Sequence, residues 1–311
     1  MLNFFPPYTE LNDANLPDTF RLMDHLGGFD ANYKNIHLSK IKGNKTISLQ
    51  FNPPTKVRQN YPNLNFIFDV DLEDKSLLNS FQSYNIHPEL DYKNFVCSFN
   101  GSDHVGRRFL TSVLNKFAYF NKNYCSKNFK HTGNEISDSI SNNVSNTEFY
   151  SKFFDCTDEF NQQVYSFGHV RFDHSTNICN LENKLTQSFL HIVSETLATS
   201  HCPFVTEKFL YSIVTRGLFL AYAQPGWHAY IEKYYGFKLY TRLFNYHFDS
   251  IVNPIERLVE LMTMISKFSK LTPHEWHDLY LLESDTIEYN YNHYFSKSYL
   301  ECIKKTHENQ L

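Results

Sequence analysis

Apolar positions in the second half of the chain fall into short blocks that alternate between strand and helix spacing. Phe189-Leu190-His191-Ile192-Val193 is a run of strand length that stops at Ser194-Glu195-Thr196. A polar loop leads to Pro203-Phe204-Val205-Thr206-Glu207-Lys208, which reads as a loop turning into a helix. Phe209, Leu210, Ile213 and Val214 then recur at helical spacing and stop at Arg216-Gly217. A second apolar strand, Leu218 to Tyr222, follows, then a Pro225-Gly226 turn and a further helix ending at Gly236-Phe237. Strand, helix, strand, helix is the rhythm of a parallel α/β sheet covered on both faces.

The first half repeats this pattern more loosely. Residues 17 to 30 read as a strand or short helix closing on Gly27-Gly28. Thr46 to Phe51 alternates as a strand and is halted by Asn52-Pro53-Pro54. Asn65 to Asp71 is a further strand leading into a helix near Lys75 to Tyr84. Phe95 to Phe99 is a buried strand, and the helix after it begins near Arg107 and carries Leu110, Val113, Leu114 and Phe117. Residues 126 to 147, rich in Asn, Ser and Lys, read as an exposed loop, with the sheet resuming near Ser151. Arg257 to Lys267 is amphipathic, and a helical segment follows from Pro273. These elements predict three parts: an α/β domain over 1–90, a second over 91–270, and a helical segment, 271–311, packing back on the first domain.

Composition narrows the class. The 311 residues hold 41% hydrophobic and 20% charged side chains, ordinary for a globular protein with ample core. Net charge is −4 and no basic run appears, which argues against a broad phosphate-tracking surface, so nucleic acid is not an expected partner. No apolar run approaches membrane-spanning length, and the start lacks the charged and apolar regions of a secretory signal. Six scattered cysteines (97, 125, 156, 179, 202, 302) without Cys-x-x-Cys pairs read as free thiols, and the chain is expected to be cytoplasmic. The aromatic content, 17%, fits an AT-rich coding sequence or an aromatic-lined sugar site.

Polar residues cluster where parallel sheets bind ligands, at the carboxyl ends of strands and the first turns of the following helices. Asn100 ends one strand, and Arg107 and Arg108 open the next helix. An arginine there suits phosphate, because its fork and the helix amides both favour anions; the plainer reading is a surface pair. Glu207 suits a first helical turn and Lys208 does not, unless an anion lies nearby. The plainer reading makes Thr206 an ordinary N-cap. Asp69-Val70-Asp71 imitates a carboxylate metal site, and His274-Glu275-Trp276-His277 imitates a zinc motif with its histidines three apart instead of four.

The order Ser194-Glu195-Thr196, Val205-Thr206-Glu207-Lys208, Gly217 and an apolar strand, preceded by Asn100 and Arg107 with Leu110 and Leu114, resembles the α1,3-fucosyltransferases and their bacterial and viral relatives. The resemblance covers about a quarter of the chain. It implies two Rossmann-like domains facing across a cleft, the GT-B arrangement, with the donor on the C-terminal domain. It implies transfer of a sugar, fucose in the family, from a nucleoside diphosphate to a carbohydrate or other hydroxyl acceptor, without metal or cofactor. Asn100, Arg107, Arg108, Glu195, Thr206, Glu207 and Lys208 would bind the donor, the cations meeting its diphosphate and the carboxylates its hydroxyls. The chain departs from the family pattern at Gly217-Leu218-Phe219-Leu220. It also lacks a carboxylate in the loop after Phe51, where the family carries its glutamate base, which leaves His25, Asp30, Asp69 and Asp71 as base candidates. Two alternatives follow: a catalytically inactive fold used for binding, and a viral-type enzyme that glycosylates a DNA base.

Overall fold

The computed structural model describes residues 3–5, 18–22, 41–49, 59–68, 81, 85–89, 91–101, 104–117, 119, 123–127, 174–195, 198, 205–299 and 301–302. Two four-stranded parallel sheets organise them. The first is built from β1 (Asn3–Phe5), β2 (Thr19–Leu22), β3 (Lys45–Leu49) and β4 (Leu64–Phe68), in sequence order. The expected helix over 75–84 lies outside the described residues except at Phe81, and so does the sheet's expected resumption near Ser151.

The second sheet holds β5 (Asn94–Asn100), β6 (Tyr124–Lys127), β7 (Ser188–Ser194) and β8 (Leu218–Tyr222) in the order β6-β5-β7-β8. The chain leaves β5 outward to β6, and leaves β7 outward to β8 in the opposite direction. Right-handed crossovers in opposite directions put their helices on opposite faces. The first, α1 (Val105–Lys116), therefore covers one face, and α3 (Lys208–Val214) the other. Between them, α2 (His174–Thr186) leads into β7. The inner strands β5 and β7 meet where the winding reverses.

Every residue of β7 is buried, which explains why its sequence is almost continuously apolar instead of alternating. Its one imidazole is fully satisfied: His191 Nε2 lies 2.9 Å from the Leu185 carbonyl, and Nδ1 lies 2.9 Å from Ser212 Oγ on α3. A carbonyl only accepts, so Nε2 carries the proton and Nδ1 accepts from the serine hydroxyl. The same ring dictates the end of α3. A Cβ on Gly217 would lie 2.1 Å from His191 Cε1, so only glycine lets the backbone pass. The left-handed position that usually takes glycine falls one residue earlier, on Arg216 (φ 50°). Gly217 N–H donates to Ser212 O and Arg216 N–H to Ile213 O, which closes a Schellman turn. Arg216 is held there by Glu288 (2.7 Å), the Ile86 carbonyl (2.9 Å) and the face of Tyr291.

After β8, the expected helix ending at Gly236 divides into α4 (Trp227–Tyr230) and a π turn over Ile231–Tyr235. His228 on α4 covers the outer edge of β8. Its Nε2 accepts the Ala221 N–H at 3.1 Å, so Nδ1 bears the proton and donates to Asp249 at 2.7 Å. That contact satisfies an edge-strand amide that would otherwise invite another strand.

α5 (Pro254–Ser266) starts at Asn253, whose side chain accepts from the N–H groups of Ile255 and Glu256. α6 (Pro273–Leu282) starts at a Thr272/Glu275 capping box, and α7 (Ser284–Tyr294) follows directly. The described part of the segment after residue 271 packs around the second sheet, while most of residues 1–90, to which it is expected to return, lie outside the described residues. Trp276 stacks on Phe189 (6.0 Å between centroids) and packs against Phe95, and Asn290 bonds both backbone groups of Lys238. Among the described residues, Cys97, Cys125, Cys179 and Cys302 form no disulfide, and no helix is long and apolar enough to cross a membrane.

Candidate functional site

The carboxyl ends of β5 and β7 flank the reversal of winding, the place where open α/β sheets bind ligands. Glu195 follows β7 directly and is fully buried. Its two oxygens accept from one residue, Thr206: Oε1 from the backbone N–H at 3.2 Å and Oε2 from the hydroxyl at 2.6 Å. The threonine oxygen in turn accepts from Lys208 Nζ at 3.0 Å and from the Lys208 N–H at 3.4 Å. Lys208 Nζ also reaches Glu207 Oε1 at 3.2 Å. A single hydroxyl thus links a buried carboxylate to a half-buried ammonium.

Arg107 approaches from the other side of the reversal. It lies in the first turn of α1, which begins two residues before the position expected from the sequence. Burial lowers its pKa, and Glu195 and Glu207 oppose that shift, which marks all three as electrostatic neighbours. Burial likewise raises the Glu195 pKa, while Lys208 and the Thr206 hydrogen bonds pull it down. The first turn of α1 holds no acidic residue but two buried arginines, Arg107 and Arg108, a placement that opposes the helix dipole. The start of α1 is packed tightly: a Cβ on Gly106 would lie 2.8 Å from Ala198 Cβ in the loop after β7.

That loop is held by a residue whose role the sequence pattern did not show. Arg257 on α5 is buried, and its Nε donates to Ala223 O (2.9 Å) while its terminal nitrogens reach Ala198 O (2.7 Å), Val252 O (3.1 Å) and Ile251 O. One guanidinium therefore fixes the loops after β7 and β8 and, through Ala198 and Gly106, the position of Arg107.

The structure thus brings Arg107, Glu195, Thr206, Glu207 and Lys208 together. Asn100 is separately anchored, its Nδ2 donating to Ser98 Oγ and Ser126 O at 3.2 Å each. The base candidates His25, Asp30, Asp69 and Asp71 lie outside the described residues. Lys127 and Ser194, both buried at the carboxyl ends of their strands, were passed over in the sequence. The only signal for Ser194 there is a polar residue ending an apolar strand, and Lys127 falls in the stretch from 126 to 147 that reads as an exposed loop. Comparison with family models, with curated proteins and with solved structures returned no match.

Burial lowers the pKa of His191, beneath this site, to about 4. Below about pH 6.5 the unfolded imidazole takes a proton that the native one refuses. The stability due to the neutral ring is therefore complete above pH 6.5 and is lost as pH falls toward 4, about 3 kcal/mol in all. Urea midpoints measured between pH 7 and 4 should show this loss, and His191→Gln should flatten the slope in that window.

Proposed function

We propose that the crevice between β5 and β7 takes the diphosphate of a nucleotide sugar, and that the protein is a glycosyltransferase with two Rossmann-like domains in the GT-B arrangement. The observation that carries this is that Arg107, from the helix after β5, and Lys208, at the start of the helix after β7, both neighbour the carboxylates at the end of β7: Arg107 is close to Glu195 and Glu207, and Lys208 is bonded to Glu207 and to the Thr206 that holds Glu195. Two cations converging on the switch point of a parallel sheet suit an anion longer than a single phosphate. The carboxylates beside them suit sugar or ribose hydroxyls, which donate hydrogen bonds.

In such a transfer the glycosidic bond to the diphosphate breaks as an acceptor hydroxyl attacks the anomeric carbon. Negative charge grows on the leaving diphosphate. Arg107 and Lys208 would bind that charge more tightly in the transition state than in the ground state, which accelerates the step. The acceptor's proton would pass to a base, for which His25, Asp30, Asp69 and Asp71 remain the candidates. Lys208 needs no bound metal to play its part.

A second reading is favoured by one observation: hydrogen bonds within the protein link Glu195, Thr206, Lys208 and Glu207 in one chain. Such a chain also suits a fold retained for binding or support, without turnover. Calorimetric titration with nucleoside diphosphates in chelating buffer tests for an occupied crevice, and an assay of sugar transfer then separates turnover from binding alone. Binding is expected from the first, and a purely supporting network predicts none.

A further inference from the structure

Three buried polar residues end neighbouring strands on the α1 side of the second sheet. Asn100 pairs with Lys127 across β5 and β6. On the other side of β5, pairing with β7 sets Val96 beside Leu190 and ends at Cys97 beside His191, with Asn100 and Ser194 each three residues further along. Neighbours in register share a face, so Lys127 and Asn100 stand side by side at the roughly 4.8 Å spacing of adjacent strands, and the alternation along β5 and β7 puts Ser194 on the same face, in one row of strand ends. It is the face opposite His191, whose ring meets Ser212 on α3, and so the face that α1 covers, with Arg107 in its first turn.

The row is buried and incompletely bonded. Asn100 is 0% and Ser194 2% exposed. Among the described residues neither Asn100 Oδ1 nor Ser194 Oγ has a hydrogen-bond partner. The orientation of the Asn100 amide is settled by chemistry: Ser126 O accepts only, so the nitrogen must face it, and the free position is the oxygen. Leaving such groups unbonded in the interior is costly, and proteins retain them mainly where function uses them.

Resting on the diphosphate reading of the crevice, we infer that this row receives the hydroxyl-bearing ring joined to the diphosphate. A phosphate oxygen at neutral pH has no proton to offer Asn100 Oδ1, so the group that satisfies it must carry O–H or N–H. Ser194 can donate or accept and suits a neighbouring hydroxyl of the same ring. The ring is either the ribose or the transferred sugar, which offer the same chemistry.

Ser194→Ala tests this with little risk to the fold, since it removes an atom that bonds nothing in the described structure. The probes are inorganic pyrophosphate, nucleoside diphosphates and their sugar conjugates, titrated by calorimetry. The expected result has three parts: an equal or higher Tm without ligand, unchanged pyrophosphate affinity, and affinity for the ring-bearing ligand weakened about tenfold, one hydrogen bond's worth. A loss already present with nucleoside diphosphates assigns the row to ribose, and one seen only with sugar conjugates assigns it to the sugar. Ser126→Ala, whose equally buried Oγ faces the other side of the sheet beside Phe99, should leave all affinities unchanged. A lowered Tm in Ser194→Ala, equal losses for pyrophosphate, equal losses in Ser126→Ala, or no loss at all would overturn the inference while leaving diphosphate binding intact. Wild-type protein that binds none of the probes overturns the diphosphate reading itself, and this inference with it.

Discussion

Lys208→Ala and Arg107→Ala should each lower turnover by two to three decades while changing the donor KM far less. Both cations face the charge that grows as the glycosidic bond breaks, so their loss falls mainly on kcat. A lost donor to a developing oxyanion costs roughly 2–4 kcal/mol, which is that range. Because both act on one diphosphate, the double variant should lose less than the sum of the singles. Thermal unfolding run alongside separates this from a purely structural role. Lys208, half-buried and bonded to Thr206 and Glu207, should cost little stability when truncated, as partly exposed ion pairs do. Arg107 is buried, so its truncation will also lower Tm, and Arg107→Lys keeps the charge for comparison. Losses of turnover below about threefold, with changes confined to Tm, would remove these residues from the donor site.

Arg257→Ala should be the most destabilising single change around the second sheet. The side chain donates to the carbonyls of Ala198, Ala223, Ile251 and Val252 from a buried position. Truncation strands those carbonyls, each worth about 1–3 kcal/mol when left unbonded, and opens a cavity besides. Relaxation and entering water will recover part of this, leaving a loss of about 4–5 kcal/mol, near the upper end for point variants. Denaturant midpoints would measure it. Arg257→Lys should recover only part, because an ammonium cannot reproduce the planar fork that reaches three segments. A loss below about 1 kcal/mol would mean the loops hold themselves.

Strands β5, β7 and β8 of the second sheet were legible because burial writes itself into the pattern, whereas β6 was not: its buried Ser126 and Lys127 open the polar stretch, 126 to 147, that reads as an exposed loop. The strand expected over Leu218 to Tyr222 matches β8, and the run around Leu190 widens by one residue at each end into β7. The stop at Arg216-Gly217 was legible as well, but its cause was not. Gly217 is required by a ring twenty-six positions earlier in the chain, a contact that local periodicity does not carry.

The site divides in the same way. Glu195, Thr206, Glu207 and Lys208 stood out as polar residues at the edge of an apolar pattern. Lys208 at a helix start looked unexplained, and the structure supplies partners in Thr206 and Glu207 that depend on side-chain geometry. Arg257 looked like one charge on an amphipathic helix, because its carbonyl partners lie up to fifty-nine positions away. The row of Lys127, Asn100 and Ser194 exists only once strand order and register are known. Three strand-ending polar residues far apart in the sequence do not otherwise point to one another.

Everything proposed for these residues requires that the crevice between β5 and β7 hold a diphosphate. Calorimetric titration of the intact chain with nucleoside diphosphates in the presence of a chelator measures this directly. Saturable binding that survives the chelator, and that weakens at least tenfold in Lys208→Ala, is the predicted result. Binding that vanishes with the chelator, or that is unchanged in Lys208→Ala, would contradict it.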